Sequence, residues 1–254
     1  MLVPQIIRNQ FDELREKYPG LYLTYHNKAA WSISGLLYFV ASYEGQEIED
    51  KYSIELLVWN NFPNSIPLAK EIGGRIPKTF HHYENDGLCL GAPLAIRQTF
   101  RQEPTLLGFT NNCLIPYLYS FSYKSQYGKM PFGELSHGSQ GLLEYYQSVF
   151  KVDNKKAVVR LLQVLTENNY QTNVKCPCGS RKQIRNCHGN QLQKMMIGES
   201  RLEFRKECIE LVDVNFEKLL LSRWSYRPYK KALVTSQHFL NLFPHLASSS
   251  NKSK

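Results

Sequence analysis

The chain has 254 residues, with 31 Lys and Arg against 22 Asp and Glu, a formal net charge of +9. Its 13 Phe, 16 Tyr and 3 Trp supply too much aromatic surface for a disordered chain, and its most apolar run, residues 35–42, is far short of the roughly 20 residues that span a bilayer. Six cysteines without a recognisable export signal point to a reducing, cytoplasmic setting, where thiols serve as metal ligands, nucleophiles or small core residues.

In chain order, residues 4–17 begin on a proline and place Ile6, Ile7, Phe11 and Leu14 on one stripe, which predicts an amphipathic helix and argues against a signal peptide. Runs at 21–26, 31–42 and 52–59 are rich in aromatic and β-branched residues, and their short polar connections predict an antiparallel meander. Residues 61–77 hold Pro63, Pro67, Gly73, Gly74 and Pro77, a composition that sustains neither a long helix nor a central strand. A turn-rich loop follows at 81–91, and helical patterns return at 105–122, 140–150, 154–168 and 191–221. Cys113 and Cys208 fall on apolar helical faces and read as core residues, and residues 248–254 read as a disordered tail.

Charge and cysteines divide the chain in the same place. Residues 1–150 carry 12 Lys and Arg against 14 Asp and Glu, net −2; residues 151–254 carry 19 against 8, net +11, together with four of the six cysteines. This predicts two units, 1–150 and 151–247. The second holds Cys176-Pro-Cys178 and Cys187-His188, three thiolates and an imidazole at the spacing of a closed tetrahedral zinc site, within residues 174–190. Four protein ligands leave no position for a substrate water, so the expected Zn²⁺ is structural. The stretch resembles the SEC-C motif, a short zinc-binding accessory element. A Cys₃His centre carries net −1, so Lys175, Arg181, Lys182 and Arg185 are expected to compensate it, which weakens the case for nucleic acid. Further basic residues, Arg223, Arg227, Lys230 and Lys231, interleave with Trp224, Tyr226 and Tyr229 and suit either a solvated basic face or stacked bases.

Cys89 has no metal partners in sequence and sits in a glycine-flanked turn beside His81 and His82. A nucleophilic cysteine needs thiolate character, access and a donor for the oxyanion, and either histidine can help. The order of helix, meander, Phe62-Pro63 to Pro67, histidine loop, Gly-Leu-Cys-Leu and helices resembles the ubiquitin-conjugating enzyme fold, most specifically in residues 52–67 and 81–91. The resemblance is to the bacterial branch associated with CBASS antiphage systems, and it implies an α+β fold and a thioester at Cys89. It also implies a partner, a CD-NTase (cGAS/DncV-like nucleotidyltransferase), held through its C-terminal tail and passed to a lysine-bearing acceptor. Where eukaryotic members carry His-Pro-Asn, this chain has His81-His82-Tyr83, so the oxyanion role falls to His81 or His82. Asn85 and Asp86 either orient the incoming lysine or build the Asn-Asp-Gly turn. A cysteine beside histidines also suits direct attack on a peptide bond of the partner's tail, as in a transpeptidase. The alternatives are an inactive binding module of the same fold and a zinc-containing nucleic-acid-binding protein.

Overall fold

A computed structural model of the chain describes residues 2–132, 136–167 and 171–212. The basic aromatic cluster at 223–231 and the tail at 248–254 lie outside the described residues. Two compact units are present, one ending at Tyr145 and the other beginning at Tyr146, so the division falls inside a helix.

The first unit is α+β. Helix α1 (Gln5–Lys17) starts after Pro4 and buries Ile7, Phe11 and Leu14, the expected stripe. Strands β1 (Leu21–Asn27), β2 (Ala30–Tyr43), β3 (Gln46–Trp59) and β4 (Leu68–Glu71) form one antiparallel sheet in sequential order. The β2–β3 hairpin is longer than its apolar content suggests, because the ladder continues without slippage from Ala30↔Trp59 to Tyr43↔Gln46 at the Glu44-Gly45 turn. The proline-rich segment yields only β4, four residues at the sheet edge, which is where such a sequence is tolerated. Gly35 permits the sharp β1–β2 approach: its φ is +137°, and a Cβ there would lie 2.1 Å from the Gly20 carbonyl oxygen.

Alternation puts Ile33, Leu37 and Phe39 of β2 and Tyr52, Ile54, Leu56 and Val58 of β3 on the buried face. The helices that follow the sheet are α2 (Pro93–Gln102), α3 (Leu106–Phe109), a π turn (Thr110–Leu114) and α4 (Ile115–Tyr127). Helix α4 packs on β2 and β3, and α1 packs on β1 and α3. Fully burying one aliphatic or aromatic side chain contributes about 1.5–3 kcal/mol, and Phe109, Leu114 and Leu118 are completely buried with the sheet residues.

The second unit is helical. It begins in the last turn of α5 (Gly138–Phe150) and continues with α6 (Lys155–Thr166), capped by the Asn154 side chain, which accepts from the Ala157 amide at 2.8 Å. The helical pattern at 191–221 is a correction: it forms two helices, α7 (Gly189–Met196) and α8 (Arg201–Leu211), and residues from 213 lie outside the described ones. The break is chemical. Gly198 adopts φ +73°, and the Ser200 hydroxyl accepts from the Leu202 amide to start α8. Among the described residues no helix is long and apolar enough to cross a membrane.

Candidate functional site

The Cys89 loop is a small hairpin built on the edge of the sheet. The Tyr83 amide donates to the Gly87 carbonyl at 2.8 Å and the Cys89 amide to the His81 carbonyl at 2.7 Å, with His82 paired to Leu88 between them. Leu88 also donates to the Ala69 carbonyl of β4 at 2.8 Å, which welds the hairpin to the sheet. In this antiparallel register His81 stands directly opposite Cys89, whereas His82 stands opposite Leu88. Leu88 is buried; Cys89 is half-buried, with Sγ 4.0 Å from the Gly91 carbonyl, two residues before α2.

The two histidines therefore separate. His82 Nδ1 lies 2.7 Å from the Phe80 carbonyl, which only accepts, so this nitrogen carries the proton and donates. The His81 backbone lies at φ +42°, an unusual conformation for a bulky residue, held by the Cys89 amide and by Tyr117. The Tyr117 hydroxyl, from α4, donates to both the Phe80 carbonyl at 3.0 Å and the His81 carbonyl at 3.3 Å. Burial first, and then the negative charge of a Cys89 thiolate, push that hydroxyl well above the ordinary tyrosine value, so it stays a donor.

At the tip, the Asn85 side chain accepts from the Gly87 amide at 3.1 Å and so builds the turn. Asp86 points to Lys78, 2.6 Å from its ammonium, and the hydrogen bond and charge of that lysine lower its carboxyl below the usual range.

The segment entering the hairpin is braced from below. Both carboxylate oxygens of Glu71 accept backbone amides, Gly73 at 2.8 Å, Arg75 at 2.9 Å and Ile76 at 3.2 Å. Arg75 forks onto Asp50 at 2.8 and 3.1 Å and lies 4.2 Å over the Tyr52 ring. Ser122 donates to Asp50 at 2.7 Å and accepts from the Tyr52 hydroxyl at 2.7 Å. Burial opposes ionisation of Asp50, but the bonds from Arg75 and Ser122 outweigh it and bring the carboxyl down to about 2.

The second constellation is tighter. Ligand atoms of Cys176, Cys178, Cys187 and His188 all lie within 4.8 Å of one another. His188 Nδ1 is 3.2 Å from the sulfurs of both Cys176 and Cys187, and Cys178 Sγ is 3.5 Å from Cys187 Sγ. These spacings are close to the edge of a tetrahedron about 2.3 Å in radius. Backbone bonds fold the knuckle: the Cys176 amide donates to the Lys182 carbonyl at 2.7 Å and the Ile184 amide to the Val174 carbonyl at 2.9 Å, and a 3₁₀ turn at Ile184–Asn186 delivers Cys187. His188 Nε2 lies 2.8 Å from the Phe150 carbonyl and must donate to it, which leaves the Nδ1 lone pair facing the thiols.

Cys176 is buried, and that burial pushes its thiol up to about 12. Burial also opposes ionisation of Cys178, but hydrogen bonds from the Ser180 side chain and backbone overcome it and bring that thiol down to about 6. This donor set, with its imidazole already oriented, fits a metal ion and is compatible with zinc. Lys175, Arg181, Lys182 and Arg185 are exposed around it.

The remaining cysteines are inert. Cys113 is buried and pushed up to about 11, and Cys208 is buried and pushed up to about 12, both by desolvation. A residue that sequence reasoning missed is His137, before α5, whose ring centroid lies 4.4 Å from that of His81. The two are 56 positions apart and no local pattern joins them.

No protein-family model matches this chain, and no curated protein matches it.

Proposed function

We propose that the first unit is a ubiquitin-conjugating-like cysteine acyltransferase and that the second holds a structural Zn²⁺ on Cys176, Cys178, Cys187 and His188. The observation that carries the acyltransferase reading is the hairpin itself. It holds a half-exposed thiol opposite a histidine, welded to a four-stranded meander and next to the start of a helix. The resemblance of residues 52–67 and 81–91 to the enzymes of CBASS systems supports the finer assignment, with a CD-NTase tail as acyl donor and a lysine-bearing protein as acceptor.

In the first step the Cys89 thiolate attacks the carbonyl carbon of the donor's C-terminal acyl group. A C–S bond forms, and the leaving group departs with its electron pair. It is AMP if the carboxyl arrives as an acyl adenylate, the His81 imidazolium then losing its proton to solvent. It is an amine if a peptide bond of the tail is opened, and that amine takes the imidazolium proton as its C–N bond breaks. We assign to His81, whose backbone stands opposite Cys89, the roles of taking the thiol proton and donating to the oxyanion; the register and the engagement of His82 Nδ1 by the Phe80 carbonyl support this choice. In the second step a lysine amine attacks the thioester, an amide forms, and Cys89 leaves as thiolate while the ammonium proton passes to the imidazole. When bound, the zinc cross-links the knuckle and takes no part in these steps.

A Cys89→Lys variant mixed with the donor protein and its activating components tests this reading. Intact mass spectrometry is expected to show a stable amide adduct at residue 89. Absence of an adduct on Cys89→Lys and on Cys89→Ser, with Cys89→Ala retaining full biological activity, would overturn it in favour of an inactive binding module.

A further inference from the structure

His137 is distant from the loop in sequence, yet its ring meets His81 at a centroid distance of 4.4 Å and an interplanar angle of 38°. Phe80 also meets the His81 ring, edge to face, at a centroid distance of 4.9 Å and an interplanar angle of 87°. The His81 imidazole thus contacts both a buried aromatic and a second imidazole, on the residue whose backbone faces Cys89. The segment that presents His137 is itself pinned. Glu144, two turns into α5, reaches back to accept from the Ser136 amide at 2.9 Å and the Ser136 hydroxyl at 2.7 Å, and Gln140 donates to the same carboxylate at 3.0 Å. Hydrogen bonds from the Ser136 backbone, the Gln140 side chain and the Ser136 hydroxyl, in that order, keep Glu144 ionised below the usual carboxylate range.

We infer that His137 is a positioning residue for Cys89: Glu144 fixes the Ser136–His137 turn, His137 packs on His81, and His81 is thereby held in the orientation that exchanges a proton with the Cys89 thiol. The inference rests on Cys89 being the reactive thiol proposed above. Among the described residues, other titratable and charged groups near His81 are engaged elsewhere or on its backbone. His82 is tied to Phe80, Asp86 is paired with Lys78, Tyr117 bonds the His81 carbonyl, and Lys124 lies 5.4 Å over the Phe80 ring.

The test needs neither donor nor acceptor. The rate of Cys89 alkylation by iodoacetamide, read by peptide mass spectrometry on the full chain, is followed from about pH 5 to about pH 9. A thiol paired with an imidazole keeps reactivity at low pH, so His81→Ala is expected to remove that limb of the profile. His137→Ala is expected to slow alkylation about tenfold near pH 6 and to have no further effect in the His81→Ala background. His137→Phe, which keeps a ring on His81, restores most of the rate, and Glu144→Ala slows it in the same direction as His137→Ala. His137 is exposed, so the His137 variants are expected to melt within a few degrees of the parent. A His137→Ala profile that superimposes on the parent, additive losses in the double variant, or His137→Phe as slow as His137→Ala overturns the inference. Loss of acyl adducts with this alkylation pattern intact overturns the acyltransferase reading instead.

Discussion

Two cysteine-bearing turns of this chain are built with similar backbone chemistry and reach opposite ends. The 81–91 hairpin and the 174–189 knuckle are each closed by a single antiparallel bridge, His82↔Leu88 in one and Lys175↔Gln183 in the other. In the knuckle the backbone turns four donor atoms inward until they lie within 4.8 Å of one another. In the hairpin it turns one thiol outward, with buried Leu88 beside it and His81 opposite. Convergence of thiols satisfies a cation and rigidifies a fold; isolation of one thiol beside a proton acceptor keeps it available for chemistry.

The contrast predicts different costs for losing a ligand. Cys176→Ser or His188→Ala is expected to take bound zinc from one equivalent to none by elemental analysis, with a stability loss of about 3 kcal/mol or more. Retention of a full equivalent of zinc would remove the metal centre from the comparison. The next largest effect belongs to the brace beneath the hairpin. The Asp50 carboxyl sits at about 2 against an ordinary 3.8. Its stabilisation is therefore complete above about pH 4 and lost as pH falls through about 2, a window worth about 1–2 kcal/mol. Denaturant melts of Asp50→Asn should lack that acid-dependent step, and an unchanged step would assign it to other carboxylates.

Smaller still is Tyr117→Phe, which deletes the hydroxyl shared by the Phe80 and His81 carbonyls and is expected to cost about 1 kcal/mol in a thermal or denaturant melt. Last comes Cys89→Ser, expected to change stability by less than about 0.5 kcal/mol. A large destabilisation there would make Cys89 a packing residue and erase the difference between the two turns.

Much of this organisation was legible where the cause is local. Runs rich in aromatic and β-branched residues marked β1–β3, the Ile7, Phe11 and Leu14 stripe marked α1, and four ligands within 13 positions marked the metal-type cluster. Helix α2 was not recognised: it is short, buries only Leu94 and Phe100, and half of its residues, Arg97, Gln98, Thr99, Arg101 and Gln102, are polar. Helices α7 and α8 read as one because apolar spacing continues across Gly198, although the glycine and Ser200 carried the stop and start signals. That His81 and not His82 stands opposite Cys89 needed the hairpin register, and the neighbour His137 needed a tertiary contact.

The π turn at Thr110–Leu114 has a consequence for how the hairpin is held. The Ile115 amide bonds back to the Thr110 carbonyl, five residues earlier, so this helix contains one residue more than an α-helical path requires. Each residue advances an α-helix by about 100°, so that single residue sets the rotational phase of everything after it. Tyr117, which holds the His81 carbonyl, and Ser122, which holds Asp50, both lie downstream. Deleting one residue from the turn would leave a smoother helix that points both hydroxyls at the wrong neighbours. Insertions and deletions here are thus constrained by angle and not by length.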